Sequence, residues 1–286
     1  MSYFHKFHNK LGRYITFSIY IVMIFFITAC ESRSIEEKIQ IALLEKDYKL
    51  VESLLLEQFD AGNIDSLVKI GDLYEVGLGV NQDYAVAIDY YRKAIEYNNT
   101  SAMVKLGNLI ENGLGAESDP EAAKELYLKA SDLGDAEAKF RMGRLFEGTK
   151  LGKRDMDKAM EWWTLAAEGG FIEAQVVLGN RYISGLFVSR DNDEGAKWFK
   201  LAAESGHVGS QFRVGFLNEY GTGMSKDLIE AYAWYRLAAA QGDEAAIQNL
   251  SRLNKLLDDE SLNQSKELSE KYWDLYVVPF RKDPAQ

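Results

Sequence analysis

The sequence predicts an all-α protein, an α-solenoid of five 36-residue helix-turn-helix repeats with helical caps at both ends. The first observation is that glycine, aspartate and bulky side chains each recur at a constant interval of 36 residues. The glycines are Gly71, Gly107, Gly143, Gly179 and Gly215. The aspartates are Asp83, Asp119, Asp155, Asp191 and Asp227. The bulky residues are Tyr91, Tyr127, Trp163, Phe199 and Tyr235. A constant period of about 20–50 residues indicates a stacked array. The repeats are 63–98, 99–134, 135–170, 171–206 and 207–242.

The second observation is the pattern inside one repeat, of which repeat two is the example. Apolar residues such as Leu106 and Leu109 recur at helical spacing in its first half, which predicts an amphipathic helix. Gly113 follows that helix, where glycine tolerates the left-handed backbone of a helix end. Asp119 is placed to cap a second helix, which ends at Gly134. Each repeat is therefore expected to be two antiparallel helices.

The glycine column lies within the first helix, where glycine costs about 1 kcal/mol relative to alanine. Its recurrence predicts that the two helices cross so closely that a larger side chain would clash with the bulky column. Two repeats depart from the pattern between their helices. Repeat three has Thr149 and repeat four has Phe187 where the other repeats have glycine. We expect the turns of both repeats to differ from the rest.

The stretches IGDLYEVGLGVNQD, LGNLIENGLGAESD, MGRLFEGTKLGKRD, LGNRYISGLFVSRD and VGFLNEYGTGMSKD resemble the Sel-one-like repeat family, a relative of the tetratricopeptide repeat. The resemblance covers 63–242. It implies a helical solenoid, a fold that typically presents an extended binding surface. By analogy with tetratricopeptide repeats, it also implies that the first helices line a concave groove.

Residues 1–29 have the layout of a bacterial signal peptide. Lys6, Lys10 and Arg13 precede an apolar run that ends just before Cys30, the single cysteine of the chain. The run resembles a lipobox, which implies that Cys30 is acylated, with 30–34 as a lipidated tether. An uncleaved signal anchor is the alternative. Both readings predict a periplasm-facing protein of the cell envelope, and Glu31 favours the outer membrane over the inner one.

The regions that flank the repeats predict caps. Residues 35–62 contain two helical segments without the glycine pattern and form an N-terminal helical cap. Residues 243–286 form a C-terminal helical cap, which begins like a sixth repeat with Ser251 in the glycine column. Caps of this kind cover the apolar ends of an array. Trp273 either closes the C-terminal cap or marks an interface.

The net charge is −11, and it becomes −14 without residues 1–29, which carry three basic and no acidic side chains. This balance argues against nucleic acid as a partner. It leaves two interpretations, solubility or attraction of a basic protein partner.

The sequence offers no catalytic or cofactor-binding constellation, so we expect a protein that is not an enzyme and that holds no cofactor and no metal. His207 is the one histidine after the signal peptide, and a structural role is expected for it. The tryptophans Trp162, Trp163, Trp198 and Trp234 occupy the aromatic columns and are expected in the core.

The candidate partner-binding residues lie on the first helices of repeats three to five, on the expected concave face. They are Phe140, Arg141, Arg144, Asn180, Phe212, Arg213 and Phe216. Aromatic and arginine residues dominate the energetics of protein interfaces, which favours these positions as a binding site. The function expected is a non-enzymatic, membrane-anchored periplasmic binding protein or scaffold. The alternative is an immunity protein that neutralises a secreted antibacterial effector such as a phospholipase.

Overall fold

The computed structural model describes residues 34–280. The expected signal peptide 1–29 and the lipidation site Cys30 lie outside the described residues, as do 281–286. Every regular element within 34–280 is helical, which confirms the all-α prediction. The α-helices are α1 Ile35–Glu45, α2 Tyr48–Asp60, α3 Asp65–Val76, α4 Tyr84–Ile95, α5 Thr100–Asn112, α6 Pro120–Asp132, α7 Ala136–Glu147, α8 Met156–Glu168, α9 Ile172–Ser184, α10 Asn192–Glu204, α11 Val208–Tyr220, α12 Leu228–Ala240, α13 Glu244–Leu256 and α14 Asp259–Tyr276. A 3₁₀ turn follows at Val278–Phe280.

The described residues form two compact units, 34–99 and 100–280. In the first unit, α1 and α2 pack on each other and α2 packs on α3. Its core joins Ile39, Val51 and Leu55 to Ile70. Ser34 opens α1 with a capping box, because its hydroxyl accepts from the backbone of Glu37, whose side chain accepts from the backbone N–H of Ser34.

In the second unit, the two helices of each repeat pack on each other, and each second helix packs on the first helix of the next repeat. The pairs within repeats two to five are α5–α6, α7–α8, α9–α10 and α11–α12. The predicted aspartate column caps the second helices as expected, since each carboxylate accepts backbone N–H groups at the start of its helix.

The predicted close crossing at the glycine column is confirmed in every repeat. A Cβ placed on Gly143 would lie 2.4 Å from the indole of Trp163. On Gly107 it would lie 2.5 Å from the ring of Tyr127, and real Cβ atoms do not approach other heavy atoms so closely. Only glycine therefore lets the aromatic ring of the second helix rest on the backbone of the first.

The turn of repeat three differs from the others, as expected. Gly148 ends α7 in an extended conformation, with φ −75° and ψ −171°, whereas Gly113 ends α5 with φ 69°. The expectation for repeat four was wrong. Phe187 adopts φ 69°, close to the 70° of Gly223 in repeat five, so the backbone keeps the common turn although the residue has changed.

The C-terminal cap does not continue the array. Helix α13 packs on α12 as the first helix of a sixth repeat would. Helix α14 instead packs on α12 and α10, the second helices of repeats five and four. Trp234 of α12 stacks on Tyr276 at 5.4 Å and meets Tyr272 at 4.9 Å. Trp273 is half-buried in this cap and lines a cleft of about 480 Å³ beside Arg236.

The tryptophan prediction is confirmed at three of four positions. Trp163, Trp198 and Trp234 are buried. Trp162 is half-buried, because its position on α8 points further from the core than that of its neighbour Trp163.

Candidate partner-binding face

The first helices of unit 100–280 share one largely exposed stripe, formed by positions three and then four residues apart. We call this stripe the first-helix face; it comprises Arg141, Arg144, Asn180, Arg213, Phe216, Tyr220 and Arg252. Equivalent positions of consecutive first helices fall side by side because the repeats have equal length. Five of these residues were predicted from the sequence, namely Arg141, Arg144, Asn180, Arg213 and Phe216.

Phe140 and Phe212, the other two predicted residues, lie beneath this face. Both are half-buried. The ring of Phe140 packs 5.1 Å from that of Phe171, and the ring of Phe212 packs 5.6 Å from that of Tyr235. They therefore support the first-helix face from the core, because their position on the helix is one residue away from the exposed stripe.

A carboxylate links two arginines across repeats three and four. Arg144 Nη1 lies 2.7 Å from Glu147 Oε2, and Arg181 of the next first helix pairs with the other oxygen of Glu147. The side chain of Arg144 stays 59% exposed, so its charge remains available to solvent or to a partner. Arg141 pairs with Glu137 at 2.8 Å within its own helix.

An exposed aromatic pair lies at the end of α11. The rings of Phe216 and Tyr220 are 4.5 Å apart, and the two residues are 37% and 58% exposed. No carboxylate within 34–280 forms an ion pair with the neighbouring Arg213. The sequence reasoning missed Tyr220, although its spacing of four residues from Phe216 was a signal for a shared helix face.

A buried polar network lies under the last part of the face. Tyr235 donates its hydroxyl hydrogen to Glu219 Oε2 at 2.9 Å, and Arg252 pairs with Glu219 Oε1. Glu219 is only 5% exposed. Burial, and then the hydrogen bond to Glu219, raise the pKa of Tyr235 above its ordinary value. Arg252 was also missed; it continues the 36-residue column of Phe216 into α13.

Charge is distributed unequally between the two sets of helices in unit 100–280. The first helices and α13 carry eight basic and six acidic residues, a net of +2. The second helices and α14 carry eight basic and fifteen acidic residues, a net of −7. The acidity of the chain therefore lies mainly away from the first-helix face.

The remaining polar groups have structural roles. His207 caps α11 by accepting from the backbone N–H of Ser210, and burial lowers its pKa. Within 34–280 no cluster of histidine, cysteine and acidic side chains has the arrangement of a metal site. None of the helices in that range is long and apolar enough to span a membrane.

Comparison with known proteins identifies the repeat. The family model described as Sel1 repeat matches residues 64–98, 100–135, 136–171, 172–207 and 208–243. The solved Sel1 repeat protein of Oxalobacter formigenes is 25% identical, with a TM-score of 0.64 over 83% of this chain and 99% of that one. The immunity protein Pa5087 of Pseudomonas aeruginosa is 22% identical, with a TM-score of 0.47 over 78% of this chain and 86% of that one. No curated protein gives a significant match. Because the matched repeats span more than half of its length, the chain belongs to the Sel1 repeat family.

Proposed function

We propose that this protein is a non-enzymatic binding protein that holds a protein partner on the first-helix face. Sel1 repeat solenoids are protein-interaction scaffolds, and the comparisons support that general class. We propose this surface because the aromatic pair Phe216 and Tyr220 is exposed beside Arg213. An aromatic pair that stays solvent-exposed next to an arginine has the composition of an interface centre.

The test uses a partner isolated from the cell envelope with the full chain. Arg144→Ala combined with Phe216→Ala should weaken its binding by more than about 2 kcal/mol, which is the scale of an interface hot spot. The matched control is Lys200→Ala with Leu201→Ala, which also removes one exposed cation and one exposed apolar side chain but from a second helix. The control should bind like the unaltered chain.

The cap offers a competing site, which a third variant distinguishes. Trp273→Ala alters the cleft between α12 and α14 and leaves the first-helix face intact. Loss of binding in this variant, together with unchanged affinity in the Arg144 and Phe216 variant, would move the site to the C-terminal cap and refute the proposal.

We further propose that the protein is tethered to the periplasmic side of a bacterial membrane, with the outer membrane favoured, through a lipid on Cys30. The lipobox-like sequence before Cys30 supports this. Cys30→Ser should change both the membrane fractionation and the processed size of the protein. Unchanged fractionation and unchanged mass of the processed chain would exclude the lipid anchor.

The immunity role remains the second candidate function, as a special case of protein binding. A stoichiometric inhibitor needs a stable interface and no chemistry of its own, as proposed here. Its distinguishing test is protection: cells that produce the chain should survive a secreted effector such as a phospholipase encoded beside it, and cells with the Arg144 and Phe216 variant should not. Formation of an envelope complex without any protection would favour the scaffold.

A further inference from the structure

A second candidate surface lies on the turns that connect the paired helices of repeats three and four. Its members, which we call the turn patch, are Lys153, Arg154, Leu186 and Phe187 of these turns and Arg181 of the adjoining helix α9. Leu186 is 51% exposed and Phe187 is 49% exposed. Lys153 and Arg154 are exposed as well. The patch therefore combines apolar side chains and cations at one place on an acidic protein.

The backbone at Phe187 is held in an unfavourable conformation. Its φ of 69° lies in the left-handed region, where the same turn has Gly115 in repeat two and Gly223 in repeat five. A bulky side chain adopts this region only against steric resistance. Core packing does not compensate for this, since half of the residue remains exposed. An exposed ring on a strained backbone indicates a functional role for Phe187.

Two arginines approach the ring of Phe187. Arg181 Cζ lies 5.3 Å from the centre of the ring, and Arg154 Cζ lies 5.9 Å from it. Arg181 is also positioned by its ion pair with Glu147 and by the indole of Trp163, whose centre is 5.6 Å away. Arg154 donates its Nε hydrogen to the backbone oxygen of Glu147 at 2.8 Å. These contacts order the patch before any partner arrives, which lowers the entropic cost of binding.

The charge of this turn is unusual within the chain. The turn of repeat three, TKLGKR at 149–154, carries three basic and no acidic residues. The corresponding turn of repeat two, GLGAES at 113–118, has a net charge of −1, and that of repeat five, GTGMSK at 221–226, has +1. The positive charge is thus concentrated in the turn that lies next to Phe187.

We propose that the turn patch binds an acidic segment of a partner protein that carries an apolar or aromatic side chain. The apolar side chain would pack on Leu186 and Phe187, while carboxylates would pair with Lys153 and Arg154. This inference goes beyond the proposed function and does not depend on it, because the turn patch shares no residue with the first-helix face. It also differs from the attraction of a basic partner that the net charge suggested.

The surroundings of the patch favour a narrow protein segment over a flat anionic membrane. The helices that begin directly after the two turns carry Asp157, Asp193 and Glu194 in their first turns. An extended segment can contact the two turns alone, whereas a bilayer surface would also approach these acidic residues and be repelled.

The first experiment selects short random peptides displayed on phage against the full chain in detergent. We expect the selected peptides to be enriched in aspartate and glutamate around leucine or phenylalanine. Their binding should weaken with increasing salt, since the cations of the patch are solvent-exposed. Enrichment of basic peptides, or the absence of acidic enrichment, would overturn the proposal.

The decisive variant is Phe187→Gly, which restores the glycine found in three other repeats. Because glycine adopts the left-handed region freely, this variant should be at least as stable to heat as the unaltered chain. It should nevertheless bind the selected acidic peptides at least about tenfold more weakly, as should Arg154→Glu. Unchanged peptide affinity of Phe187→Gly in a folded protein would overturn the proposal.

The matched control is Lys226→Glu, which reverses a cation at the position of repeat five that corresponds to Arg154 and Arg190 but lies in a turn without an aromatic residue. It should retain the peptide affinity of the unaltered chain. An equal loss of affinity in Lys226→Glu and Arg154→Glu would indicate unspecific electrostatic attraction and would reject the turn patch as the binding site.

If Phe187→Gly and Arg154→Glu instead reduce only the binding of phosphatidylglycerol vesicles and not that of the peptides, the patch is a membrane contact and the proposal is wrong. The Arg144 and Phe216 variant should bind the peptides normally, which separates this surface from the first-helix face.

Discussion

Repeats five and four solve the same packing problem with different chemistry. In repeat five, the Tyr235 ring rests on Gly215 and its hydroxyl bonds to the buried Glu219 at 2.9 Å. In repeat four, Phe199 rests on Gly179 in the same way, and the position of the acid is taken by Ile183. The glycine contact is thus independent of the polar pair. In repeat five the acid and the hydroxyl are both present, and in repeat four both are absent.

Repeats one, two and three extend the comparison. Tyr127 donates to Glu111 at 3.1 Å, and Tyr91 lies 2.6 Å from Glu75, so both repeats resemble repeat five. Repeat three has Trp163, which cannot reach its acid in this way. Glu147 is consequently available to pair with Arg144 and Arg181, and these arginines belong to the two surfaces proposed above.

The largest effect is expected where all five repeats agree. Gly143→Leu places side-chain atoms where Trp163 lies 2.4 Å from the new Cβ, and should reduce the free energy of unfolding by about 3 kcal/mol or more. Urea unfolding measures this change. Arg144→Leu puts the same side chain on the exposed side of the same helix and should cost less than about 1 kcal/mol, since it removes an exposed ion pair. Equal losses in the two variants would refute the close-crossing argument.

An intermediate effect is expected from moving the acid of repeat five into repeat four. Ile183→Glu places a carboxylate beside Phe199, where no hydroxyl satisfies it, and should cost about 2 kcal/mol. Adding Phe199→Tyr supplies the donor and should recover about 1 kcal/mol. A double-mutant cycle measures the coupling between the two positions. Additive losses would show that the hydroxyl and the acid are not a unit.

The smallest effect concerns alkaline pH. The native pKa of Tyr235 is raised above the ordinary value of about 10, so the native state keeps the proton that the unfolded state loses. Its stabilising contribution is present below pH 10 and is lost as the pH rises from there toward the native pKa. At pH 11 the loss amounts to about 1.4 kcal/mol. Tyr235→Phe should therefore lose about that much less stability than the unaltered chain between pH 8 and pH 11, as measured by urea unfolding. An identical loss in both proteins would contradict the coupling.

The sequence predicted the features that repeat and missed those that depend on one particular contact. The glycine and aspartate columns are visible in the sequence because each repeat has the same local constraints. The glycine is required by the close helix crossing, and the aspartate caps the start of the second helix. The return of α14 to α12 rests on Tyr272 and Tyr276 meeting Trp234, a contact that occurs once and leaves no period. Phe187 was recognised as a departure, but its turn was not, because Phe187 adopts the left-handed φ that Gly223 has at the same position of repeat five.

The sequence predicted which helices carry the candidate site but not which of its side chains are exposed. Arg213 is exposed, whereas Phe212, one residue earlier on the same helix, is half-buried. One residue along a helix turns a side chain by about 100°, which decides between surface and core. The sequence pattern places the column, but the rotation of the helix in the array is set by packing across repeats.

The return of α14 also limits how this protein can grow by duplication. A repeat inserted after Gly242 would move helix α14 away from Trp234. The surface of α10 and α12 on which α14 packs would then be exposed to solvent. The 3₁₀ turn adds to this dependence, since Phe280 lies over Gly206, where a Cβ would come within 3.0 Å of it. In contrast, a repeat inserted between Gly134 and Asp135 would leave repeats four and five in contact with the C-terminal cap. A change in repeat number at the C-terminal end would therefore disturb the cap, whereas the same change in the interior of the array would not.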